Sequence, residues 1–140
     1  INDRLDICLA VDAAGVHLGQ TDLPCSEARR ILGAEKIIGV SAATPEEAAK
    51  AQSDGADYLG VGAVFATSTK TNTRPVTAET IRAIRSAVDI PFVVIGGVNS
   101  ENISGLHGLG INGAAVISAI ISQPDITAAA RKMRQAAERL

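Results

Sequence analysis

The chain has 140 residues, of which 46% are hydrophobic and only 2% aromatic. This length suits a single domain with its own core, and the abundance of Ala, Val, Ile and Leu favours buried parallel strands beneath small-residue helices and argues against disorder. Thirteen basic and 15 acidic residues give a net charge of −2 and form no basic patch, which argues against nucleic acid or an anionic membrane as a partner and favours a small-molecule ligand.

Five short apolar runs predict strands that begin near residues 16, 37, 58, 92 and 114. These starts lie 21, 21, 34 and 22 residues apart, which is the size of a βα repeat with one enlarged connection. Strands that alternate with helices predict parallel pairing and right-handed crossovers. Neither a G-x-G-x-x-G nor a Walker A sequence occurs, so the alternatives are a barrel or an open doubly wound sheet without those nucleotide-binding motifs.

Helix signals fill the intervals between these strands. A capping residue followed by Pro, by acidic residues or by an apolar stripe marks the start of a helix, and Gly marks its end. The predicted helices are 45–54 with Thr44 as cap and Glu47 completing a capping box, one after Thr77 with Ile81, Ile84 and Val88 on one face, one capped by Ser100 and ended by Gly110, and 126–140 capped by Asp125.

Loops that follow the strands carry the polar residues of interest. In a barrel the active groups lie at the carboxyl ends of the strands, and phosphate commonly binds after the last two. Thr67-Ser68-Thr69-Lys70 follows the strand at 58 and offers three hydroxyls and a cation to phosphate or diphosphate oxygens. Gly96-Gly97 and Ile117-Ser118 follow the next two strands, and their backbone N–H groups predict a phosphate site.

Acids and amides follow the remaining strands. Asn2-Asp3 lies at the start of the chain, Gln20-Thr21-Asp22 follows the strand at 16, and Ser41 ends the strand at 37. Carboxylates on neighbouring strand ends suit Mg²⁺, which prefers oxygen ligands and often shares them with substrate phosphates. The pattern therefore predicts a site for a diphosphate with its metal.

Taken together, these segments resemble the thiamine phosphate synthase family in order and spacing over essentially the whole chain. The resemblance rests on 1–5, 15–20, 38–41, 55–62, 67–70, 95–98 and 116–120, which read INDRL, GVHLGQ, IGVS, GADYLGVG, TSTK, IGGV and VISAI. It implies a (β/α)8 TIM barrel that here lacks the first two βα units, so that residues 1–140 form the C-terminal three quarters of a single barrel domain. A further 60 to 70 residues, about two units of the repeat, would complete the barrel.

The resemblance implies a transferase of thiamine biosynthesis. The reaction joins hydroxymethylpyrimidine diphosphate to hydroxyethylthiazole phosphate and gives thiamine phosphate and diphosphate by a dissociative mechanism. By resemblance, Asp3 and Asp22 are Mg²⁺ ligands, and Asn2, Ser41 and Lys70 contact the diphosphate, with Ser41 and Lys70 also catalytic. The thiazole phosphate is implied to bind near Thr67, Thr69, Gly97, Ile117 and Ser118.

Two other functions remain open. Thiazole tautomerase has the same barrel but no diphosphate substrate, so the retained Asn2, Asp3, Asp22 and Thr67–Lys70 favour the synthase. The second alternative is an inactive fragment that binds thiazole phosphate. It remains open because the family's Gln-x-Arg-x-Lys signature has no counterpart in these 140 residues. Smaller departures from the family pattern are Ala42-Ala43, Ala63 and Asn112.

Several of these residues also have an ordinary structural interpretation. Asp3 could cap the following helix, Asp22 could be a loop acid, and Gly96-Gly97 could serve only the turn. We expect His17 to be packed and hydrogen-bonded, His107 to be solvated, and Arg29, Arg30 and Arg131–Arg134 to lie on exposed helix faces.

Composition also bears on compartment and assembly. No run approaches the roughly 18 apolar residues of a membrane span, and Cys8 and Cys25 show no metal-binding or redox spacing. We therefore expect reduced thiols and a cytoplasmic protein without a membrane partner. The sequence is compatible with a homo-oligomer and does not decide the oligomeric state.

Overall fold

The computed structural model describes residues 1–66, 75–138 and 140. Strands and helices alternate along these ranges as the sequence predicts. The strands are β1 Gly15–Leu18, β2 Ile37–Ala42, β3 Tyr58–Gly62, β4 Phe92–Ile95 and β5 Gly113–Ala115. The helices are α1 Leu5–Ala10, α2 Cys25–Leu32, α3 Pro45–Ser53, α4 Ala78–Ala87, α5 Ser118–Ile121 and α6 Ile126–Ala137, with a 3₁₀-helix at Ile103–Leu106.

All five strands form one parallel sheet in the order in which they occur along the chain. Asn2 adds a further parallel bridge to His17 on the outer side of β1, and the Asp3 N–H donates to the His17 carbonyl at 2.8 Å. Each strand therefore lies beside its predecessor in the chain, and the residues before α1 continue that order. Sequential parallel neighbours are the arrangement of a (β/α) barrel, whereas a doubly wound sheet reverses its order part-way.

The core lies between one face of this sheet and the helices. Alternate residues of the strands are fully buried against α2, α3 and α4, because successive side chains in a strand point to opposite faces. The buried side chains on this face are Val16, Leu18, Ile38, Val40, Ala42, Leu59, Val61, Phe92 and Val94. The opposite face carries His17, Ser41 and Tyr58 among several glycines.

Most of the predicted helix starts are confirmed by their hydrogen bonds. Thr44 accepts the Glu47 N–H, Thr77 accepts the Thr80 N–H, and Asp125 accepts the Ala128 N–H at 2.9 Å. None of the helices in the described part of the chain is long and apolar enough to cross a bilayer.

The prediction of a helix capped by Ser100 is wrong. The Asn99 side chain accepts the backbone N–H groups of Glu101 and Asn102, and only one 3₁₀ turn follows. Asn is as good a local hydrogen-bond acceptor as Ser, so the preceding residue takes this role. His107 directly follows that turn and is exposed, as expected.

At the amino end of the sheet, Asp57 and Asn112 each make a pair of hydrogen bonds to a neighbouring strand. The Asp57 carboxylate accepts the Ile38 N–H at 2.7 Å while the Asp57 N–H donates to the Ile38 carbonyl. Asn112 makes the corresponding pair of bonds with Phe92, at 3.0 and 2.9 Å. Asn112 departs from the family pattern, but its amide oxygen accepts the bond that a carboxylate oxygen would accept. The contact is therefore kept.

Arg29 belongs to the same end of the sheet and reaches across from α2. Its guanidinium donates to the carbonyls of Gly33, Lys36 and Gly55 at 2.8 to 3.0 Å and to the Asp57 carboxylate at 2.6 Å. The planar fork of five N–H donors suits several acceptors at once. Arg29 thus ties α2 to the segments that enter β2 and β3.

The expectation that Arg29 lies on an exposed helix face is therefore wrong, whereas it holds for Arg30. The Arg29 side chain is 22% exposed, and that of Arg30 is 71% exposed and, within the described part of the chain, pairs only with Glu27 on its own helix. Adjacent helical residues point in directions about 100° apart, so one arginine faces the sheet while the next faces solvent.

Cys8 and Cys25 are buried and unpaired by any disulfide. Burial raises the pKa of the Cys25 thiol, so the reactive thiolate is scarce at neutral pH. We predict that iodoacetamide at about pH 7.5 labels neither cysteine in the native protein, and that both are labelled once denaturant unfolds it. Mass spectrometry of the quenched samples measures this. Rapid native labelling of Cys25 would show that this part of the core opens readily.

Candidate active site at the carboxyl edge of the sheet

The predicted site residues that the structure describes lie at one edge of the sheet. Parallel strands all end on the same side, and the register brings Leu18 beside Val40 and Ile95 beside Ala115. The residues that follow or end these strands are Asn2, Asp3, Asp22, Ser41, Gly97, Ile117 and Ser118. The predictions for Thr67, Thr69 and Lys70 lie outside the described residues.

Two acids occupy neighbouring strand ends. Asp3 is exposed, follows the bridge of Asn2 to β1, and has a positive φ of 63°, a conformation that Asp adopts more readily than most residues. Arg4, not Asp3, occupies the cap position of α1, and no side chain caps that helix. The alternative interpretation of Asp3 as a helix cap is therefore wrong.

Asp22 lies in the loop between β1 and α2. One of its carboxylate oxygens accepts the Gly19 N–H at 2.6 Å, and the Asp22 N–H returns a bond to the Gly19 carbonyl. This turn orients the acid at the end of β1. An ionised carboxylate has about four lone-pair sites, so this single bond leaves capacity for a cation.

Ser41, the penultimate residue of β2, belongs to a hydrogen-bonded group on the face away from the helices. Its hydroxyl lies 2.9 Å from Nε2 of His17, and Nδ1 of His17 lies 2.9 Å from the Tyr58 hydroxyl. Gln20 donates to the Ser41 carbonyl at 2.6 Å and so ties the end of β1 to that of β2. His17 is packed and hydrogen-bonded as predicted, but sequence reasoning missed Tyr58.

Two glycines inside the strands make room for this group. A Cβ on Gly39 would lie 2.2 Å from the Tyr58 ring, and a Cβ on Gly60 would lie 3.0 Å from the His17 ring. Glycine within a strand often marks such a close approach. These glycines were the sequence signal that could have revealed the His17–Tyr58 contact.

Gly96 and Gly97 leave β4 with φ values of 97° and 66°, which favour glycine. A Cβ on Gly97 would lie 2.4 Å from the Ala66 carbonyl oxygen, and the Phe65 N–H donates to the Gly96 carbonyl. Both glycines are therefore required by the turn and by its contact with 63–66. That requirement does not exclude ligand binding, since the same compact turn exposes backbone rather than side chains.

Ile117 and Ser118 follow β5, the neighbour of β4, at the level of Gly96 and Gly97. Ile117 is the cap residue of α5, and its carbonyl accepts the N–H groups of Ile120 and Ile121. Because Ile95 and Ala115 are register partners, the glycine turn and the start of α5 lie side by side. Two backbone segments at one level suit the binding of a phosphate between them.

A cleft of about 170 Å³ includes Asp22 in its lining but lies on the helix side of the sheet. Its lining includes Leu18, Val40 and Ala51, which belong to the core between strands and helices. A substrate that contacts Ser41 would lie on the other face, so we do not assign this cleft to the site.

Comparison with known proteins decides the family. The family model described as thiamine monophosphate synthase matches residues 1–120. The chain belongs to the thiamine monophosphate synthase family. Its sequence is 54% identical over 140 residues to the thiamine-phosphate synthase of Moorella thermoacetica, a match that covers 99% of this chain and 67% of the relative. It is 56% identical over 133 residues to that of Ruminiclostridium cellulolyticum, covering 95% and 63%.

A solved structure of the same family supports the fold. Thiamine phosphate pyrophosphorylase from Pyrococcus furiosus superposes with a TM-score of 0.88 at 42% identity, covering 98% of this chain and 65% of that one. The barrel-type architecture expected from the resemblance is thereby confirmed. The chain spans about two thirds of the length of these thiamine monophosphate synthase relatives.

Proposed function

We propose that the protein is a thiamine phosphate synthase, a magnesium-dependent transferase. It joins hydroxymethylpyrimidine diphosphate to hydroxyethylthiazole phosphate and releases diphosphate. The bond between the pyrimidine methylene and the diphosphate breaks first, and the thiazole nitrogen then attacks the resulting cation. The observation that carries this proposal is the meeting of two acids, a serine and two backbone turns at one edge of a sheet, in a chain at least half identical to named synthases.

The two acids are suited to Mg²⁺. Asp3 and Asp22 lie at neighbouring strand ends, and both offer hard oxygen ligands. Among the described residues, no three His, Cys, Asp or Glu side chains form a metal-binding group. Mg²⁺ commonly takes one or two protein carboxylates and completes its shell with water and substrate phosphate, so a pair is sufficient. When bound, the ion would neutralise charge that builds on the departing diphosphate.

The chain's own groups would orient the two reactants. Asn2 and Ser41 would donate to the diphosphate, and Lys70 would stabilise its negative charge as it leaves. Thr67 and Thr69 would flank the thiazole phosphate. The backbone of Gly97, Ile117 and Ser118 would hold that phosphate between β4 and β5, where the register aligns the two segments.

We further propose that residues 1–140 are the C-terminal three quarters of a single eight-stranded barrel domain. The parallel bridge of Asn2 to β1 supports this, because it continues the sequential strand order by one position. The P. furiosus relative matches over only 65% of its own length, which leaves room for two further βα units.

Condensation is tested with the protein in its natural length, both substrates and Mg²⁺. We expect thiamine phosphate and diphosphate in equal amounts, and loss of product when a chelator removes the metal. A protein that isomerises a thiazole carboxylate precursor, yet forms no thiamine phosphate, would instead be a tautomerase. Chromatography of the products separates these outcomes.

Gly97→Ala should weaken binding of the thiazole phosphate at least about 10-fold, because a Cβ there meets the Ala66 carbonyl and the residue has a positive φ. We expect a loss of stability of about 1–3 kcal/mol as well. Gly105→Ala is the matched control, since nothing lies within 4 Å of a Cβ at that position. Calorimetric titration measures the affinity, and unchanged binding in Gly97→Ala would contradict a phosphate site at this turn.

A further inference from the structure

Ser41, His17 and Tyr58 form a continuous chain of hydrogen bonds on the face of the sheet opposite the one that packs against α2, α3 and α4. Both ring nitrogens of His17 take part, at 2.9 Å from Ser41 Oγ and 2.9 Å from the Tyr58 hydroxyl. The His17 and Tyr58 rings are also in contact, with centroids 5.5 Å apart. The three residues come from three neighbouring strands, which hold the side chains in place.

A neutral imidazole allows only two directions for such a chain. One ring nitrogen carries a proton and donates, and the other accepts. If Tyr58 donates to Nδ1, then Nε2–H donates to Ser41 and the serine proton is directed elsewhere. If Ser41 donates to Nε2 instead, then Nδ1–H donates to Tyr58, and the serine presents only lone pairs to its surroundings.

The environment of Tyr58 favours the first direction. The phenol is half-buried over Gly39, and this burial, which also raises the pKa of Tyr58, withdraws its O–H from water. A phenolic O–H withdrawn from water needs an acceptor, and Nδ1 of His17 is within hydrogen-bond distance. A negatively charged ligand at Ser41 favours the same direction, because it attracts the serine proton and repels lone pairs.

We propose that Tyr58 is a positioning residue that fixes the Nε2–H tautomer of His17, so that the Ser41 hydroxyl is oriented to donate to a phosphoryl oxygen of the bound diphosphate. This proposal rests on the proposed function in one respect, namely that a diphosphate binds beside Ser41. Gly39 and Gly60 support it, because any larger residue at either position would displace one of the two rings. The hydrogen bond between Tyr58 and His17 thus determines that the Ser41 hydroxyl acts as a donor to the ligand.

The first test measures binding of inorganic diphosphate in the presence of Mg²⁺ by calorimetry. Tyr58→Phe keeps the ring but removes its donor, and should weaken binding roughly 3- to 10-fold, which is the effect of one neutral hydrogen bond. Ser41→Ala should weaken it by at least as much. In the Ser41→Ala background Tyr58→Phe should have no further effect, because the two residues act through one contact. Additive losses, or unchanged binding in Tyr58→Phe, would overturn the proposal.

The second test reads the tautomer directly, first in the parent protein and then in Tyr58→Phe. Nitrogen-15 spectra of the histidine rings at about pH 8, where an unperturbed imidazole is neutral, should show His17 protonated on Nε2 alone. In Tyr58→Phe we expect the other tautomer to become populated. Protonation of His17 on Nδ1 in the parent protein would refute the assigned direction. Failure to form thiamine phosphate would instead refute the proposed function, and the tautomer spectrum would still decide the direction of the chain.

Discussion

Asp22→Asn should lower magnesium-dependent formation of thiamine phosphate by at least about 100-fold while leaving the fold and the binding of thiazole phosphate nearly unchanged. The asparagine amide oxygen can still accept the Gly19 N–H that Asp22 accepts at 2.6 Å. The substitution therefore removes the charge and keeps the turn. Since a neutral amide is a weaker ligand for a hard cation than a carboxylate, the contribution of the proposed Mg²⁺ would be lost.

Asp22→Ala and Asp89→Asn complete this comparison. Asp22→Ala removes the turn contact as well as the charge, so it should also lower stability, by about 1 kcal/mol. Asp89 is exposed and lies shortly before β4, at the opposite end of the sheet, so Asp89→Asn should leave turnover unchanged. Initial rates across a range of Mg²⁺ concentrations measure the effect. Normal magnesium dependence in Asp22→Asn would show that this acid does not bind the metal.

Arg29→Met should lower the free energy of unfolding by about 2–4 kcal/mol without changing the residues at the carboxyl edge. The guanidinium holds three backbone carbonyls and the Asp57 carboxylate, and methionine can replace only the aliphatic part of the side chain. Bonds to a charged donor are stronger than neutral ones, and most of these lie where water has limited access. Asp57 keeps its bond to the Ile38 N–H, which limits the loss.

Arg30→Met is the matched control, because the same substitution one residue further on removes an exposed pair with Glu27. We expect a change of about 0.5 kcal/mol or less there. Urea denaturation followed by circular dichroism gives both values. Equal effects of the two substitutions would mean that the Arg29 contacts contribute little to stability.

The strands and most helices could be predicted because they depend on local pattern. Strand starts expected near 16, 37, 58, 92 and 114 are found at 15, 37, 58, 92 and 113. Thr44 and Asp125 act as caps within three residues of the N–H groups they accept. The prediction of Ser100 as a cap was wrong because two adjacent residues, Asn99 and Ser100, can both accept the following N–H groups. Pattern alone does not rank them.

The contacts that sequence reasoning missed join residues far apart in the chain. His17 and Tyr58 are 41 residues apart, and Arg29 and Asp57 are 28 apart. Periodicity assigns a residue to a face but does not identify its partner across strands. Arg29 was therefore expected to be exposed like Arg30. The position of the acids, Ser41 and the glycine turn at one edge of the sheet could be predicted, because each follows or ends a strand and parallel strands all end on the same side.

Amide shifts in NMR test the proposal that both phosphorylated reactants bind at the carboxyl edge of this sheet. Addition of Mg²⁺ with inorganic diphosphate should shift the signals of Asn2, Gly19–Asp22 and Ser41, and addition of the thiazole phosphate should shift those of Gly97, Ile117 and Ser118. Shifts centred instead on Arg29, Asp57 and Asn112 at the opposite end, or no shifts with either compound, would contradict binding at this edge.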